Sequence, residues 1–386
     1  MSKYIVVGSS NVIFTHSYCL GLHDRYLLSG YIDTGKHSIK YPGYLSKIDT
    51  LRLYNNFEVG KVSFKRRVIK FAKLLLKILR LDQSRLVTNL INNHSIEKVD
   101  RKKISEIESF LSKKKTNHFV YLWSTTVKEE KKIIDDIQPN NKSVLIVNTY
   151  PIRSNNQLDE DCDEYLTDAQ YFNSFDRLLV PTKLMKDLLC DKCCVDKARI
   201  TVMPDYLHPK MYSNSISTAR LDKRENKKIV FLGTTNFSER TIDDISSLIR
   251  ELSHSNIEVH LQGDPAKSSD MIKYFLPFDY DEIIAGELSH FIKSFDGVLV
   301  AYNNLNNARS NISYPTRYAL GLLSNRPIYM KEGVFKAIEN NDIITTYIST
   351  ADLVGKIKTQ ETSSEYDIEH LKDRFNMLID AVVGDT

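Results

Sequence analysis

The sequence predicts an α/β protein with two domains, each built around a parallel sheet. Short apolar segments alternate with helical segments in the first half, and the alternation restarts after a polar, irregular stretch at 204–226. Strands that alternate with helices form parallel sheets. A length of 386 residues also fits two domains. We therefore expect two Rossmann-like domains, 1–203 and 227–365, joined by a linker at 204–226 and followed by a C-terminal helix at 366–386.

The composition is that of a globular protein. Hydrophobic residues make up 42% of the chain and charged residues 26%, which excludes an intrinsically disordered protein. The net charge is only +4, so a polyanion would have to bind at a local cluster of basic residues. No segment has the ~18–20 uncharged apolar residues of a membrane span, and no signal-peptide core is present. The five cysteines are expected to be reduced thiols in the cytoplasm.

The first half contains five candidate strands. The first strand, 5–7, precedes a loop of small residues at 8–11 and a helix over 15–22, an order typical of nucleotide-binding domains. Thr182 is a candidate N-cap for a helix over 182–189, and the acidic segment 158–165 favours the start of another helix. The remaining strands are expected at 119–123, 143–147, 177–180 and 200–203.

The second half repeats the pattern. Its strands are expected at 228–232, 258–261, 297–301 and 327–330. Its helices are expected at 241–253, 288–295 and 316–323, because apolar residues recur there at helical spacing. A final helix over 368–382 should pack against one of the two domains.

Three segments resemble the donor half of GT-B glycosyltransferases and occur in the order found in that family. The first is the strand, helix and strand at 176–207, which lead into the linker. The second is the strand 228–233 with Arg240 downstream. The third, 315–327, matches a family motif that begins and ends with proline at the same spacing. The resemblance implies a two-domain GT-B fold with the nucleotide sugar bound by the second domain and the acceptor bound by the first.

The sequence departs from the family at one pair of positions. Many retaining members carry two glutamates where this chain has Ile312 and Leu320. The donor contacts normally made by those glutamates must come from other residues, or the subfamily differs.

Donor binding requires groups that stabilise the negative charge of a leaving diphosphate. A glycine loop brings backbone N–H groups close to phosphate, and arginine offers a planar fork of donors. Ser313 and Tyr314 precede a predicted helix whose N-terminus would favour an anion. The predicted donor-binding residues are Gly233, Thr234, Thr235, Arg240, Ser313, Tyr314 and Arg317.

Two residues of the first half are candidate catalytic bases for the acceptor hydroxyl. His16 follows the first strand and its loop, and its ordinary pKa suits a base, although a packed histidine is the alternative interpretation. Asp159 follows the strand 143–147 and a Tyr-Pro turn, where its carboxylate could face the cleft. The alternative interpretation is that it balances a helix dipole. The Asp-x-Asp segments at 161–163 and 279–281 lack the strand context of a metal site, so we expect a metal-independent enzyme without a cofactor.

A strongly basic amphipathic helix is predicted over 61–80. Its basic stripe and apolar face are typical of a helix that lies on an anionic membrane. The alternative is a helix whose apolar face packs on the protein core and whose basic face is solvated. Nucleic-acid binding is disfavoured, because the rest of the chain has no excess of basic residues. The predicted membrane-binding residues are Arg66, Lys70, Lys73, Lys77 and Arg80.

The sequence therefore predicts a glycosyltransferase of surface-polysaccharide, lipopolysaccharide or capsule synthesis. Its expected partners are a nucleotide-diphosphate sugar, a lipid-linked glycan acceptor and an anionic membrane surface. Its expected location is the cytoplasmic face of the cell membrane. Two alternatives remain, a non-catalytic membrane-associated subunit and a sugar-nucleotide epimerase or hydrolase of the same fold.

Overall fold

The computed structural model describes residues 2–35, 42–53, 101–151, 163–212, 226–234, 245–302, 311–334, 338, 343–360 and 368–384. Within these ranges the chain forms two parallel sheets, one from each half. No described helix is long and apolar enough to cross a membrane.

The first sheet contains seven strands in the order β3-β2-β1-β4-β5-β6-β7, and every neighbouring pair is parallel. Its interior strand β1 is fully buried, because helices cover both faces of a sheet made by crossover connections. The strands are β1 (Tyr4–Gly8), β2 (Leu28–Asp33), β3 (Thr50–Arg52), β4 (His118–Leu122), β5 (Lys142–Ile146), β6 (Arg177–Val180) and β7 (Ile200–Val202). The helices of this half are α1 (Ile13–Asp24), α2 (101–112), α3 (Lys128–Ile137), α4 (Asp163–Phe172) and α5 (Lys183–Cys193).

The second sheet contains six strands in the order β10-β9-β8-β11-β12-β13, also parallel throughout. Counted from its first strand, this is the 3-2-1-4-5-6 order of a Rossmann domain. The strands are β8 (Lys227–Thr234), β9 (Ile257–Gln262), β10 (Ile272–Phe275), β11 (Gly297–Val300), β12 (Ile328–Lys331) and β13 (Ile344–Tyr347). The helices are α6 (Ser246–His254), α7 (Tyr280–Ile284), α8 (Glu287–Ile292), α9 (Thr316–Leu322), α10 (Thr350–Thr359) and α11 (Ile368–Val383).

The last helix, α11, crosses back and packs on the first half. Its residue Asp380 pairs with Arg25 at the end of α1, and Arg177 donates to the carbonyls of Ala381 and Val382. Gly21 on α1 permits this contact, since a Cβ there would lie 2.7 Å from a carbon of Ile379. The helix therefore joins the two ends of the chain.

The predicted α/β architecture with two Rossmann-like halves is confirmed, while the predicted domain boundaries stay a prediction. The linker is less irregular than its polar sequence indicates. In the described part, 204–212, Tyr206, Leu207, Met211 and Tyr212 are buried in a core shared with both halves.

Candidate active site

The strand order of each sheet reverses next to its first strand. In the first half the reversal lies between β1 and β4, and in the second half between β8 and β11. Ligands of open parallel sheets bind in the crevice at this point, beyond the carboxyl ends of the strands. The candidate site is therefore sought among residues that follow β1, β8 and β11.

Arg317 lies at this point of the second half. It extends from the first turn of α9, and its side chain is only 7% exposed. Its Nε donates to the carbonyl of Leu232 at 2.5 Å, and its Nη1 donates to the Tyr302 hydroxyl at 2.7 Å. The guanidinium also lies over the rings of Phe231 and Tyr302. Arg317 thus connects the carboxyl ends of β8 and β11.

The charge of Arg317 has no counter-ion in the described part of the chain, where no carboxylate lies within ion-pair distance of it. A buried charge without a partner is costly, and an anionic ligand removes that cost. The described residues also offer no acceptor to Nη2. This nitrogen is therefore available to a ligand.

Gly233 leaves the space beside this nitrogen. Its φ of +107° is a conformation that favours glycine, and a Cβ would lie 3.0 Å from Nη2 of Arg317. Thr234 ends β8 one residue later. The pair Gly233 and Arg317 therefore forms a small positive surface that a phosphate group can approach closely.

Ser313 and Tyr314 lie just upstream of Arg317. The hydroxyl of Ser313 is buried and has no hydrogen-bond partner among the described residues, so it can donate to a ligand. Tyr314 is also buried, and its ring packs edge-on against Tyr318. Tyr314 therefore supports α9 more than it faces open space.

His16 lies on α1 and is almost fully buried. Its Nε2 lies 2.8 Å from the carbonyl of Ser10, so this nitrogen carries the proton, and its Nδ1 accepts from the Tyr44 hydroxyl at 2.8 Å. Burial lowers the pKa of His16 to about 4, although the Ser10 carbonyl and Asp281 act in the opposite direction. The ring is therefore neutral, and an acceptor hydroxyl would have to replace Tyr44 at Nδ1.

Asp33 at the end of β2 fixes the loop that follows β1. It accepts hydrogen bonds from the backbone N–H and the hydroxyl of Ser10, both at 2.9 Å, and from the N–H of Gly35 at 2.8 Å. Tyr31 donates to it as well. Asp33 escaped the sequence analysis because the strand β2 was not predicted.

No family model matches the chain, and no curated protein is significantly similar to it. Solved structures match over nearly the whole length. A glycosyltransferase from Rickettsia africae is 12% identical, with 99% of this chain and 93% of that chain covered and a TM-score of 0.57. HepE from Anabaena, solved with UDP and glucose, is 11% identical, with coverage of 99% and 96% and a TM-score of 0.55. A UDP-GlcNAc 2-epimerase from Methanocaldococcus jannaschii is 12% identical, with complete coverage of both chains and a TM-score of 0.53.

The chain has the GT-B fold. The strand orders of both sheets and the full-length matches decide this point, and they confirm the fold implied by the resemblance. At these identities the comparisons establish the fold alone.

The two halves of the GT-B fold touch on both sides of the cleft. On one side the ring of Tyr280 packs on His16 at a centroid distance of 4.1 Å, and Asp281 accepts from the N–H of Gly43 at 2.7 Å. On the other side the Thr182 hydroxyl donates to the carbonyl of Ile312 at 2.5 Å. Ile312 is itself buried in the core of the first half. The apolar residue at this family position therefore serves as a contact between the halves.

Asp205 is a buried carboxylate next to the cleft that sequence reasoning missed. Its Oδ1 accepts from the Tyr18 hydroxyl at 2.9 Å. Burial raises the pKa of Asp205 to about 6, although the neighbouring Asn148 amide and the hydrogen bond from Tyr18 act to lower it. The group lies at the start of the predicted linker, where the local sequence gave no indication of burial.

The Asp-x-Asp segment at 279–281 has a structural role. Asp279 caps α7 in a reciprocal arrangement with Glu282, and Asp281 contacts Gly43 of the other half. Among the described residues no group of three or more potential ligands could hold a metal ion.

Several predicted site residues lie outside the described residues. They are Asp159, Thr235 and Arg240 of the candidate active site, and Arg66, Lys70, Lys73, Lys77 and Arg80 of the predicted membrane-binding helix. Their roles stay predictions.

Proposed function

We propose that the protein is a glycosyltransferase that moves a sugar from a nucleotide-diphosphate sugar to a lipid-linked or surface-glycan acceptor. The observation that carries the proposal is the buried guanidinium of Arg317, which has no described counter-ion and lies beside Gly233 at the reversal point of the second sheet. The GT-B fold supports the same class of reaction, as does the match to HepE, whose structure contains UDP and glucose.

In the proposed reaction the bond between the anomeric carbon and the diphosphate breaks while the acceptor oxygen forms a new bond to that carbon. Negative charge then accumulates on the leaving diphosphate. In this proposal Nη2 of Arg317 and the hydroxyl of Ser313 donate to it, and the missing Cβ of Gly233 lets the phosphate approach. The charged donors are fixed before the reaction, so they need little reorganisation.

His16 is the proposed base of the first half, with the acceptor hydroxyl taking the place of Tyr44 at Nδ1. The low pKa of His16 keeps the ring neutral at physiological pH, the form that can accept a proton, although it also makes the ring a weaker base than the ordinary histidine expected from the sequence. His16→Asn should lower kcat with little change in the affinity for nucleoside diphosphate. Tyr44→Phe removes only the competing hydroxyl and should leave the reaction intact.

The first test is direct binding of UDP, GDP and dTDP to the full chain by calorimetry and thermal shift. A ligand that binds only the native state raises the melting temperature. Arg317→Met should abolish the shift. Arg326→Met is the matched control, because Arg326 is a half-buried arginine of the same half that donates to the carbonyl of Lys293 away from the reversal point. Loss of binding in both variants would point to a folding defect.

A sugar-nucleotide epimerase is the second candidate, because the archaeal epimerase matches the complete chain. An epimerase changes the donor without an acceptor, whereas a transferase releases nucleoside diphosphate at a useful rate only when an acceptor is present. Proton NMR of a nucleotide sugar incubated with the protein alone separates the two. Binding without any turnover, with or without acceptor, would identify the non-catalytic subunit.

A further inference from the structure

The edge of the first sheet opposite the cleft carries a row of lysines. In a parallel sheet the amino ends of all strands meet at one edge, so residues that precede different strands become neighbours. Lysines occur just before or at the start of four of the first five strands of this sheet. We call this surface the basic rim, and it consists of Lys3, Lys47, Lys113, Lys115 and Lys142.

Hydrogen bonds hold the loops of the basic rim side by side. The Thr116 hydroxyl donates to the carbonyl of Lys3, and the N–H of Lys142 donates to the carbonyl of Asn117 at 2.7 Å. The Lys114 ammonium donates to the carbonyl of Ser29 at 3.0 Å. Five neighbouring strands spaced by about 4.8 Å make the rim about 19 Å wide.

The positive charge of the basic rim is largely uncompensated. Asp49 is engaged by Lys114 at 2.6 Å, and Asp176 accepts from the N–H of Ser143 and lies 3.7 Å from Lys142. In the ranges that the structure describes, no carboxylate lies within ion-pair distance of the other four rim lysines, which are all exposed. Positive charge therefore predominates along this edge.

A small cavity and an exposed aromatic ring lie on the same edge. The cavity has a volume of about 230 Å³ and is lined by Lys3, His23, Tyr26, Lys47 and Asp49 among others, with the Asp49 carboxylate paired to Lys114. Tyr26 is 88% exposed, and its φ of +58° is uncommon for a residue other than glycine. A ring with an apolar body and a polar tip is suited to the boundary between water and lipid headgroups.

We infer that the basic rim is a docking surface for a membrane that contains anionic phospholipids. A lipid phosphate binds between Lys3 and Lys47 in the cavity, and the Tyr26 ring lies among the headgroups. The width of the charged surface fits an extended layer of negative charge better than a single ion. The inference uses none of the residues of the predicted basic helix and does not depend on the proposed function.

Docking through the basic rim fixes the orientation of the cleft. The cleft lies at the carboxyl edge, and strands of five residues at 3.3 Å each separate it from the rim by about 17 Å. If the proposed function holds, the reacting end of the acceptor must reach at least that far from the bilayer. This orientation favours an acceptor glycan that already extends away from its lipid anchor. It disfavours a lipid carrier that has no sugars attached.

Co-sedimentation of the full chain with vesicles tests the inference. Vesicles of phosphatidylcholine alone are compared with vesicles that also contain phosphatidylglycerol, at low and at high salt. The test variant is the triple change Lys3→Glu, Lys47→Glu and Lys115→Glu. The control variant is Lys132→Glu, Lys183→Glu and Lys267→Glu, which changes three exposed lysines elsewhere by the same charge. Circular dichroism verifies that both variants fold.

The wild type should bind the anionic vesicles and lose that binding at high salt. Each lysine near the membrane surface contributes about a fivefold factor to the affinity for anionic vesicles. The rim variant, which lacks three of them, should therefore bind at least about 100-fold more weakly than the wild type. The control variant should bind like the wild type. Three results would overturn the inference: no binding by the wild type, equal loss in both variants, or tighter binding of RNA than of vesicles. A third variant has Lys70, Lys73 and Lys77 changed to Glu. If only this variant loses vesicle binding, the inference about the basic rim is also overturned. No sugar nucleotide is present, so the outcome is independent of the proposed reaction.

Discussion

The two halves of the molecule share one topology, yet the sites beyond their first strands differ in charge. In the second half Arg317 is buried with its charge uncompensated by any described carboxylate. In the first half the corresponding crevice holds His16, a neutral ring with both nitrogens in hydrogen bonds. The shared topology puts both crevices at the carboxyl ends of the strands, and the side chains give the second crevice an uncompensated positive charge that the first lacks.

Replacing the charge of Arg317 should have the largest effect. Arg317→Met should weaken binding of nucleoside diphosphate by about 3 kcal/mol, roughly 100-fold, because the charged donor to phosphate is lost. Its effect on folding should be much smaller, since a buried charge without a counter-ion contributes little to stability. Calorimetry with UDP and urea unfolding measure the two effects separately.

Arg317→Lys sharpens the same experiment. It keeps the charge but not the planar fork, so it should recover only part of the affinity. If Arg317→Met bound UDP as tightly as the wild type, the second half would not be the donor half, and the comparison between the two crevices would fail.

The alternation of strands and helices was predictable wherever a buried strand is a continuous apolar run. Residues 178–180 are such a run, and the strand predicted over 177–180 matches β6. The strands β2, β3, β10 and β13 were missed because they lie towards the sheet edges or mix polar residues into short segments. The order of the strands was not predicted from the sequence beyond the expectation of two Rossmann-like domains.

The site was predictable only in its local part. The motif at 315–327 located Arg317, but nothing local showed that its side chain reaches Leu232 and Tyr302. The contacts of His16 with Tyr44 and Tyr280 join residues far apart in sequence, so they follow from the fold. Spacing rules describe neighbours along the chain, whereas burial and pKa depend on packing between distant elements.

The neutrality of His16 should make the stability depend on pH. Its native pKa of about 4 lies below the ordinary 6.5, so between these values the unfolded chain binds a proton that the native chain does not. The free energy of unfolding should therefore fall as the pH decreases through this window, by up to about 3 kcal/mol from His16. Urea unfolding between about pH 7.5 and pH 4.5 measures the slope.

The variant His16→Gln isolates this contribution. Glutamine can donate to Ser10 and accept from Tyr44 without titrating, so the slope should decrease while the stability near neutral pH changes little. His208, whose pKa is also lowered to about 4, and Asp205 remain in both proteins and cancel in the difference. An unchanged slope would mean that the native pKa of His16 equals its ordinary value, and the first crevice would then become positive as the pH falls below that value.

Gly233→Ala tests the space beside Arg317 with a smaller change. The added Cβ would lie 3.0 Å from Nη2 at a φ of +107°, so it strains the loop and displaces the guanidinium. We expect a loss of about 1–2 kcal/mol in stability and a comparable loss in UDP affinity. Gly355→Ala is the control, because nothing lies within 4 Å of its Cβ position on α10, and it should stabilise slightly. Unaltered UDP affinity in Gly233→Ala would show that phosphate does not approach this glycine.

The smallest effect concerns the coupling between the halves. Thr182→Val removes the hydroxyl that donates to Ile312 and also accepts from the N–H of Met185 as the cap of α5. We expect a loss of about 1–2 kcal/mol in unfolding free energy, whereas Thr182→Ser keeps both hydrogen bonds. Ser349→Ala removes a cap of α10 without any contact between the halves and controls for the cap alone.

Ile312 lies five residues before Arg317, so the contact with Thr182 also positions the segment that we propose binds the donor. UDP affinity should therefore fall about fivefold in Thr182→Val, equivalent to the ~1 kcal/mol of one hydrogen bond, and stay constant in Ser349→Ala. Titration calorimetry measures this difference. Equal UDP affinity in the two variants would show that the contact between Thr182 and Ile312 does not affect the anion site of the second half. The difference between the two crevices would then depend on their side chains alone and not on the packing of one half against the other.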